Sequence, residues 1–134
     1  LINQGYDLVV PSRFVKDGKM IGAPKLKKLL ALVGSFLISK IALIPVKDAT
    51  NCFKMFKKSA IKSIELESNL GFLYAFEITI KFYLKGYQII ELPYTWIMDS
   101  KKKSNFKTLA WLPSYINFLF FSIISNIKKN LNKY

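Results

Sequence analysis

Arg13 is the residue whose chemistry is most distinctive, because it is the single arginine among 21 basic residues. It follows a short apolar run, Tyr6 to Val10, that predicts a buried strand ending at Pro11. Ligands of α/β proteins bind beyond the ends of strands, and a guanidinium can hold two oxygens of one anion. Arg13 is therefore predicted to lie at a ligand site, with an ordinary surface ion pair as the alternative.

Carboxylates and polar side chains occur at two further places. Asp48, Thr50 and Asn51 share a polar loop, and Glu77 lies in an apolar run, four residues before Lys81. Glu77 either pairs with Lys81 on one helix face or is a buried acid facing a site. The sequence has no His, one Cys and no Asp-x-Asp pair, which excludes His bases, Ser-His triads and the commoner zinc sites.

Helices and strands alternate in the pattern that must position these residues, so the predicted fold class is α/β. Helices are predicted from Pro24 to about Leu43, over 59–64 and over 72–85, the last ending at Gly86. Strands are predicted over 6–10, 53–56, 88–92 and 94–97, with Pro93 at an edge or bend. The ranges 12–23 and 99–107 are predicted as loops.

A net charge of +13 favours an anionic partner: a membrane surface, a nucleic acid or a phosphorylated substrate. The preference for lysine over arginine, and aromatic residues that fall in apolar runs, argue against a nucleic acid. Residues 108–127 carry no charge, and Pro113 is predicted to open a helix there. A helix lying in the membrane interface is preferred; a helix packed on the domain and a membrane span are the alternatives.

Five short stretches together resemble the polyprenyl-phosphate transferases of glycosyltransferase family 2. DLVVPSRF (7–14) resembles the family's strand and G-S-R-Y/F turn, and IPVKDATNCFK (44–54) resembles its P-V-x-D-x-T-S/N-G-F-R loop. Gly71-Phe72 with Glu77 resembles G-F-x-x-x-x-E, and KGYQIIELP (85–93) resembles K/A-G-Y-x-I-x-E-V-P. SNFK (104–107) and WLPSY (111–115) resemble the end of a bacterial and archaeal branch. The stretches follow the family's order and spacing over about residues 6–120.

The resemblance implies the C-terminal, acceptor half of a GT-A fold over residues 1–107, followed by an interfacial helix and basic tail over 108–134. It implies an inverting enzyme at the cytoplasmic face of a membrane, which moves a sugar from a nucleotide sugar to a dolichyl or undecaprenyl phosphate. The donor half, with the Asp-x-Asp that holds Mg²⁺ or Mn²⁺, is expected outside this sequence. Because the sequence opens at Leu1, we expect a fragment that is inactive alone. The alternatives are a transferase for cell-surface polysaccharide or glycolipid, and a non-catalytic membrane-binding remnant.

The resemblance also implies roles for particular residues. Arg13, next to Ser12, would bind the acceptor phosphate, and Lys27 and Lys28 replace a family arginine pair, with a solvated basic face as the alternative. Asp48 would either hold its loop or face the sugar, and Cys52 replaces a glycine. A Cys in a left-handed backbone would cost roughly 1 kcal/mol. The candidate catalytic residues are Asp48 and Glu77.

The loop that departs most from the family pattern is 97–104, where neither the family's Arg nor its Gly is present. Its three lysines could restore the lost positive charge or form a solvated charge run. The candidate substrate-binding residues are therefore Ser12, Arg13, Lys27, Lys28, Thr50, Asn51, Lys101, Lys102 and Lys103.

Overall fold

Strand β1 (Leu8–Ser12) is the central strand of the main sheet. Leu8 and Val10 are fully buried, as an apolar run with a neighbour on each side requires. The strand pairs antiparallel with β3 (Met55–Phe56) and parallel with β4 (Ile89–Pro93). The structure, a computed structural model, describes residues 1–68, 73–99 and 108–131, with the side chains of the last range from 112 onward.

A second, smaller sheet contains β2 (Lys19–Ile21) and β5 (Thr95–Ile97), which pair in parallel. The prediction that 12–23 is a loop was wrong at β2, since a three-residue strand has no periodicity of its own and exists only through its pairing with β5. Gly22 closes β2 with a φ of +74°, and an added Cβ would collide with the carbonyl oxygen of Met98. Glycine is thus required where these strands end.

Helix α1 (Lys25–Phe36) begins directly after Pro24 and continues as a π-helical turn, Leu37–Ile41. Leu43 then takes a left-handed conformation with a φ of +53°, which ends the helix before Pro45, close to the predicted stop. No residue of α1 is fully buried, although most are apolar. This helix therefore lies on the surface of the domain and presents apolar side chains there.

The core forms where α2 (Lys58–Lys62) and α3 (Leu73–Leu84) pack beside the main sheet. Both helices agree with the predictions, and Gly86 takes the expected left-handed conformation with a φ of +79°. Helix α3 is buried nearly all round, as its largely apolar composition predicts. The largest fully buried apolar side chains are Leu8, Val10, Ile44, Val46, Phe76, Ile80 and Phe82.

Helix α4 (Thr108–Leu131) packs against α3 through rings: Phe76 lies 6.0 Å from Tyr115 and 6.5 Å from Phe118, between ring centroids. The prediction that Pro113 opens this helix was wrong, because the helix begins at Thr108 and contains Pro113 in its second turn. There the proline costs one backbone hydrogen bond.

One face of α4 is thus a packing face, as the alternative of a helix packed on the domain describes. Another face exposes Phe120, Phe121, Ile124 and Ile127. The interfacial role of the helix stays a prediction. Within residues 1–68, 73–99 and 108–131, no helix is both long and apolar enough to cross a membrane.

Candidate functional site

Arg13 extends from the end of β1 and forms an ion pair with Asp48. Its Nε and Nη2 donate to the two carboxylate oxygens at 2.7 and 2.6 Å, and its backbone N–H donates to the same carboxylate at 2.9 Å. The Asp48 side chain is fully buried, and that of Arg13 is 13% exposed. Nη1 lies outside this pair. The guanidinium carbon also lies 5.1 Å from the Phe14 ring and 6.0 Å from the Trp96 ring. The Asp48 carboxylate and the Phe14 and Trp96 rings therefore hold the Arg13 guanidinium in one orientation.

Glu91, on the neighbouring strand β4, fixes the loop that carries Asp48. Its two carboxylate oxygens accept the backbone N–H groups of Lys47 and Asp48, each at 2.9 Å. The loop is thereby held against the sheet at the residue that binds Arg13. Sequence reasoning missed Glu91, which it treated as part of a strand. The available signal was an acidic residue inside an otherwise apolar strand motif.

The rest of the loop is anchored by side chains that bond to backbone groups. Asn51 donates to the carbonyl of Pro11 at 2.6 Å, and Thr79 of α3 donates to the carbonyl of Ala49 at 3.2 Å. Lys54 also donates to the carbonyl of Ala49, at 3.0 Å, and to that of Asn51. Burial lowers the pKa of Lys54 to about 8, although the nearby Asp48 opposes this. Lys54, absent from the predicted set, therefore serves here as a partly buried cross-link of the loop.

Cys52 does not need the glycine-like backbone that its place in the family pattern suggested. Among the described non-glycine residues, φ is positive at Asp17 and Leu43, so Cys52 avoids the left-handed region and its cost. Burial raises the pKa of the Cys52 thiol, and the neighbouring Tyr74 and Lys54 reduce that effect. The cysteine is thus accommodated without strain.

A cavity of about 500 Å³ lies beside this loop, between α1 and α4. One face of α1 and of the π-helical turn that follows it lines the cavity, with residues spaced three and four apart: Lys27, Leu30, Ala31, Gly34, Leu37 and Ile38. A matching face of α4 contributes Leu112, Tyr115, Ile116 and Leu119. Leu112 and Ile116 line the cavity while staying 41% and 43% exposed, so it opens to solvent.

The cationic part of this cavity contains Arg13 and Lys27. Lys27 Nζ lies 5.4 Å from the centroid of Trp96, the ring that also neighbours Arg13. Partial burial and, secondly, the charge of Arg13 lower the pKa of Lys27. Thr50 and Asn51 line the same cavity. The structure therefore brings together four of the predicted substrate-binding residues: Arg13, Lys27, Thr50 and Asn51.

Other predicted residues lie elsewhere. Lys28 lines a second cavity of about 470 Å³, shared with Arg13 and Lys19, on the side of α1 near β2. Ser12 is fully buried, and its hydroxyl accepts the Phe14 N–H at 3.4 Å, so it shapes the turn that contains Arg13. Lys101, Lys102 and Lys103 lie outside the described residues, and their predicted role stays a prediction.

Glu77 is fully buried and does not line the Arg13 cavity. Its carboxylate pairs with Lys81 at 2.7 Å and accepts the N–H groups of Glu67 and Ser68 at 2.8 and 2.9 Å. Burial by itself would raise the pKa of Glu77, but these bonds outweigh it, so the pKa is lowered. Glu77 therefore forms the predicted pair with Lys81 on one face of α3. Its carboxylate also holds the segment before α3 through the Glu67 and Ser68 N–H groups.

A divalent metal does not fit the acidic residues that the structure describes. Within those ranges, no group of three or more His, Cys, Asp or Glu side chains could hold a metal ion. Asp48 is occupied by Arg13, Glu91 by two amides, and Glu77 by Lys81 and Ser68. The expectation that Mg²⁺ or Mn²⁺ is held by residues outside this sequence stays a prediction.

No family model matches the chain, but known proteins resemble it in sequence. The dolichol-phosphate mannosyltransferase of Pyrococcus furiosus is 31% identical over 109 residues, which are 79% of this chain and 30% of that protein. The undecaprenyl-phosphate mannosyltransferase of Micrococcus luteus is 26% identical over 93 residues, which are 68% of this chain and 38% of that protein.

Both similarities support a relationship to polyprenyl-phosphate glycosyltransferases. The chain spans about a third of the length of these relatives.

Proposed function

We propose that this chain forms the acceptor-binding part of a glycosyltransferase that transfers a sugar from a nucleotide sugar to a polyprenyl phosphate. The observation that carries the proposal is the cavity in which Arg13 and Lys27 adjoin the apolar faces of α1 and α4. A phosphorylated lipid has the same division into an anionic head and a hydrocarbon tail. The names of the two relatives support the same class of acceptor.

The proposed reaction brings two anions together, the acceptor phosphate and the diphosphate of the donor. Positive groups fixed in advance lower the energy of that encounter, since they need no reorganisation when charge develops. Arg13 meets this requirement because Asp48 and the Phe14 and Trp96 rings hold its guanidinium in place. A phosphate is already nucleophilic at neutral pH, so neither Asp48 nor Glu77 is required as a general base.

We also propose that the protein acts at the cytoplasmic face of a membrane, the surface on which a polyprenyl phosphate would be met. Exposed apolar side chains of α1, including Leu26, Leu29 and Phe36, support this, as do those of α4. Lysines beside them would attract anionic lipids. Flotation with vesicles of phosphatidylglycerol should carry the chain upward at low salt and less at high salt. Equal flotation with neutral vesicles would show that the lysines do not contribute to membrane binding through their charge.

The direct test is binding of farnesyl phosphate, farnesol and inorganic phosphate to the 134-residue chain by titration calorimetry. Farnesyl phosphate should bind about 10-fold or more tightly than either part, since only it engages the cations and the apolar faces together. Equal affinity for farnesol and farnesyl phosphate would show that Arg13 and Lys27 do not recognise phosphate, and the proposed function would fail.

Turnover of labelled nucleotide sugars by the whole protein then separates the alternatives. Transfer to polyprenyl phosphate supports the proposal. Transfer to a polysaccharide or another lipid identifies the rival transferase, and binding without any transfer identifies a non-catalytic remnant.

A further inference from the structure

Gly34 occupies an unusual place, because it lies inside helix α1, where glycine is the poorest helix former after proline. Glycine is normally retained in a helix when its backbone is left-handed or when a neighbour leaves no room for a side chain. Neither reason applies here. The described glycines with positive φ are Gly5, Gly22 and Gly86. Apart from Val33, Ser35 and the nearby helix backbone, no described atom lies within 4 Å of a Cβ built at Gly34.

The space left by Gly34 is part of the cavity. Gly34 lines it on the same face of α1 as Lys27, which is two turns or about 10 Å nearer the cationic part. Ala31 and Leu37 line it one turn before and after, and Tyr115 and Leu119 of α4 line it as well. A side chain on Gly34 would therefore project into volume that the protein itself leaves empty.

We infer that Gly34 determines the specificity of this site, by keeping the cavity wide enough for the hydrocarbon chain of a phosphorylated prenyl lipid to pass beyond the cationic end. The inference rests on the proposed function, in which Arg13 and Lys27 hold the phosphate. A single isoprene unit attached to that phosphate is too short to reach a residue about 10 Å away. A chain of several units must pass Gly34, so a side chain there should discriminate between the two lengths.

The test compares farnesyl phosphate with isopentenyl phosphate, both titrated into wild type, Gly34→Ala and Gly34→Leu. Farnesyl phosphate should bind Gly34→Leu roughly 15- to 60-fold more weakly than wild type, which corresponds to excluding two or three methylene-sized groups from the cavity. Gly34→Ala should show a smaller loss. Isopentenyl phosphate should bind all three proteins equally.

Ser35→Leu is the matched control, because it adds the same side chain to the next residue of α1, which does not line the cavity. It should leave both affinities unchanged. Urea unfolding of each variant checks that the binding comparisons use folded protein. Alanine and leucine both favour a helix more than glycine does, so the variants are expected to fold.

The outcomes separate this inference from the proposed function. If wild type binds farnesyl phosphate no better than farnesol, the proposed function fails and the inference fails with it. A second outcome is that wild type prefers farnesyl phosphate to farnesol, but Gly34→Leu binds farnesyl phosphate with an affinity within about threefold of wild type. The proposed function then stands, and only the inference about Gly34 is refuted. An equal loss for isopentenyl phosphate would also overturn the inference, because Gly34 would then act on the cationic end.

Discussion

Two substitutions can separate the contribution of Arg13 to folding from its contribution to phosphate binding. Arg13→Lys and Asp48→Asn both weaken the same ion pair, the first by replacing the guanidinium with a single ammonium and the second by removing the negative charge. Asp48→Asn should lower the free energy of unfolding by about 3 kcal/mol, the lower end of the range for a broken buried pair, because Asn keeps one acceptor oxygen and Arg13 reaches solvent. Arg13→Lys should lower it by about 1.5–3 kcal/mol, since a lysine cannot form the two-pronged bond.

The two variants should differ in binding. The ratio of farnesol to farnesyl phosphate dissociation constants measures the contribution of the phosphate alone, because the apolar contacts cancel. In Arg13→Lys this ratio should fall about 10- to 150-fold, the equivalent of 1.5–3 kcal/mol. In Asp48→Asn it should stay within about threefold of wild type or rise, because the guanidinium remains and the nearest negative charge has been removed.

Titration calorimetry at a temperature where urea unfolding shows both variants to be folded provides the measurement. An unchanged ratio in Arg13→Lys would refute the assignment of phosphate binding to Arg13, and Lys27 would become the better candidate. An equal fall of the ratio in both variants would refute the separation of roles, because Asp48 would then be needed to position the guanidinium.

Three further predictions concern stability, each measured by urea unfolding. Because the pKa of Glu77 is lowered, its carboxylate stabilises the fold above the ordinary pKa of 4.5, and this stabilisation is lost as pH falls through the lower pKa of the folded state. Glu77→Gln should therefore be less stable than wild type at neutral pH. Its free energy of unfolding should fall less than that of wild type in acid. Burial lowers the pKa of Lys54 to about 8, so between pH 8 and 10.5 the unfolded chain binds more protons than the folded protein. The free energy of unfolding should therefore rise over this range by about 3 kcal/mol relative to Lys54→Met. Parallel plots of unfolding free energy against pH for the two proteins would disprove this. Gly34→Ala should raise the free energy of unfolding by about 0.5–1 kcal/mol, and no gain would mean that Gly34 has a structural role.

Elements with a strong local pattern could be predicted from the sequence, and short elements that depend on a partner could not. The apolar run of α3 and the glycine that ends it are local signals, and both were confirmed. Strand β2 exists only because it pairs with β5, and its three residues contain no local pattern that predicts this pairing. Pro113 is the opposite case, since a strong local signal for a helix start was overridden by an earlier beginning of α4.

The site divides in the same way. Residue type and position after a strand were enough to select Arg13, and the loop composition was enough to select Asp48, Thr50 and Asn51. How these residues are arranged in space could not be predicted from the sequence. Arg13 and Asp48 are 35 residues apart and become partners only when the loop folds against the end of β1. Glu91 was missed for the same reason, since its partners are backbone amides 43 and 44 residues away.

The acidic side chains explain how a strongly basic chain can position its cations. The Asp48 carboxylate pairs with the guanidinium of Arg13, and the Glu91 carboxylate accepts two backbone amides. The Glu77 carboxylate pairs with Lys81 and accepts the Ser68 hydroxyl. Each carboxylate therefore orders a loop or a positive group, and none of the three is placed to take a proton from a ligand in the cavity. That arrangement suits the transfer proposed here, in which the nucleophile arrives already charged and the difficulty is repulsion between anions. Removing these carboxylates should consequently reduce stability more than phosphate recognition, whereas removing Arg13 should reduce both.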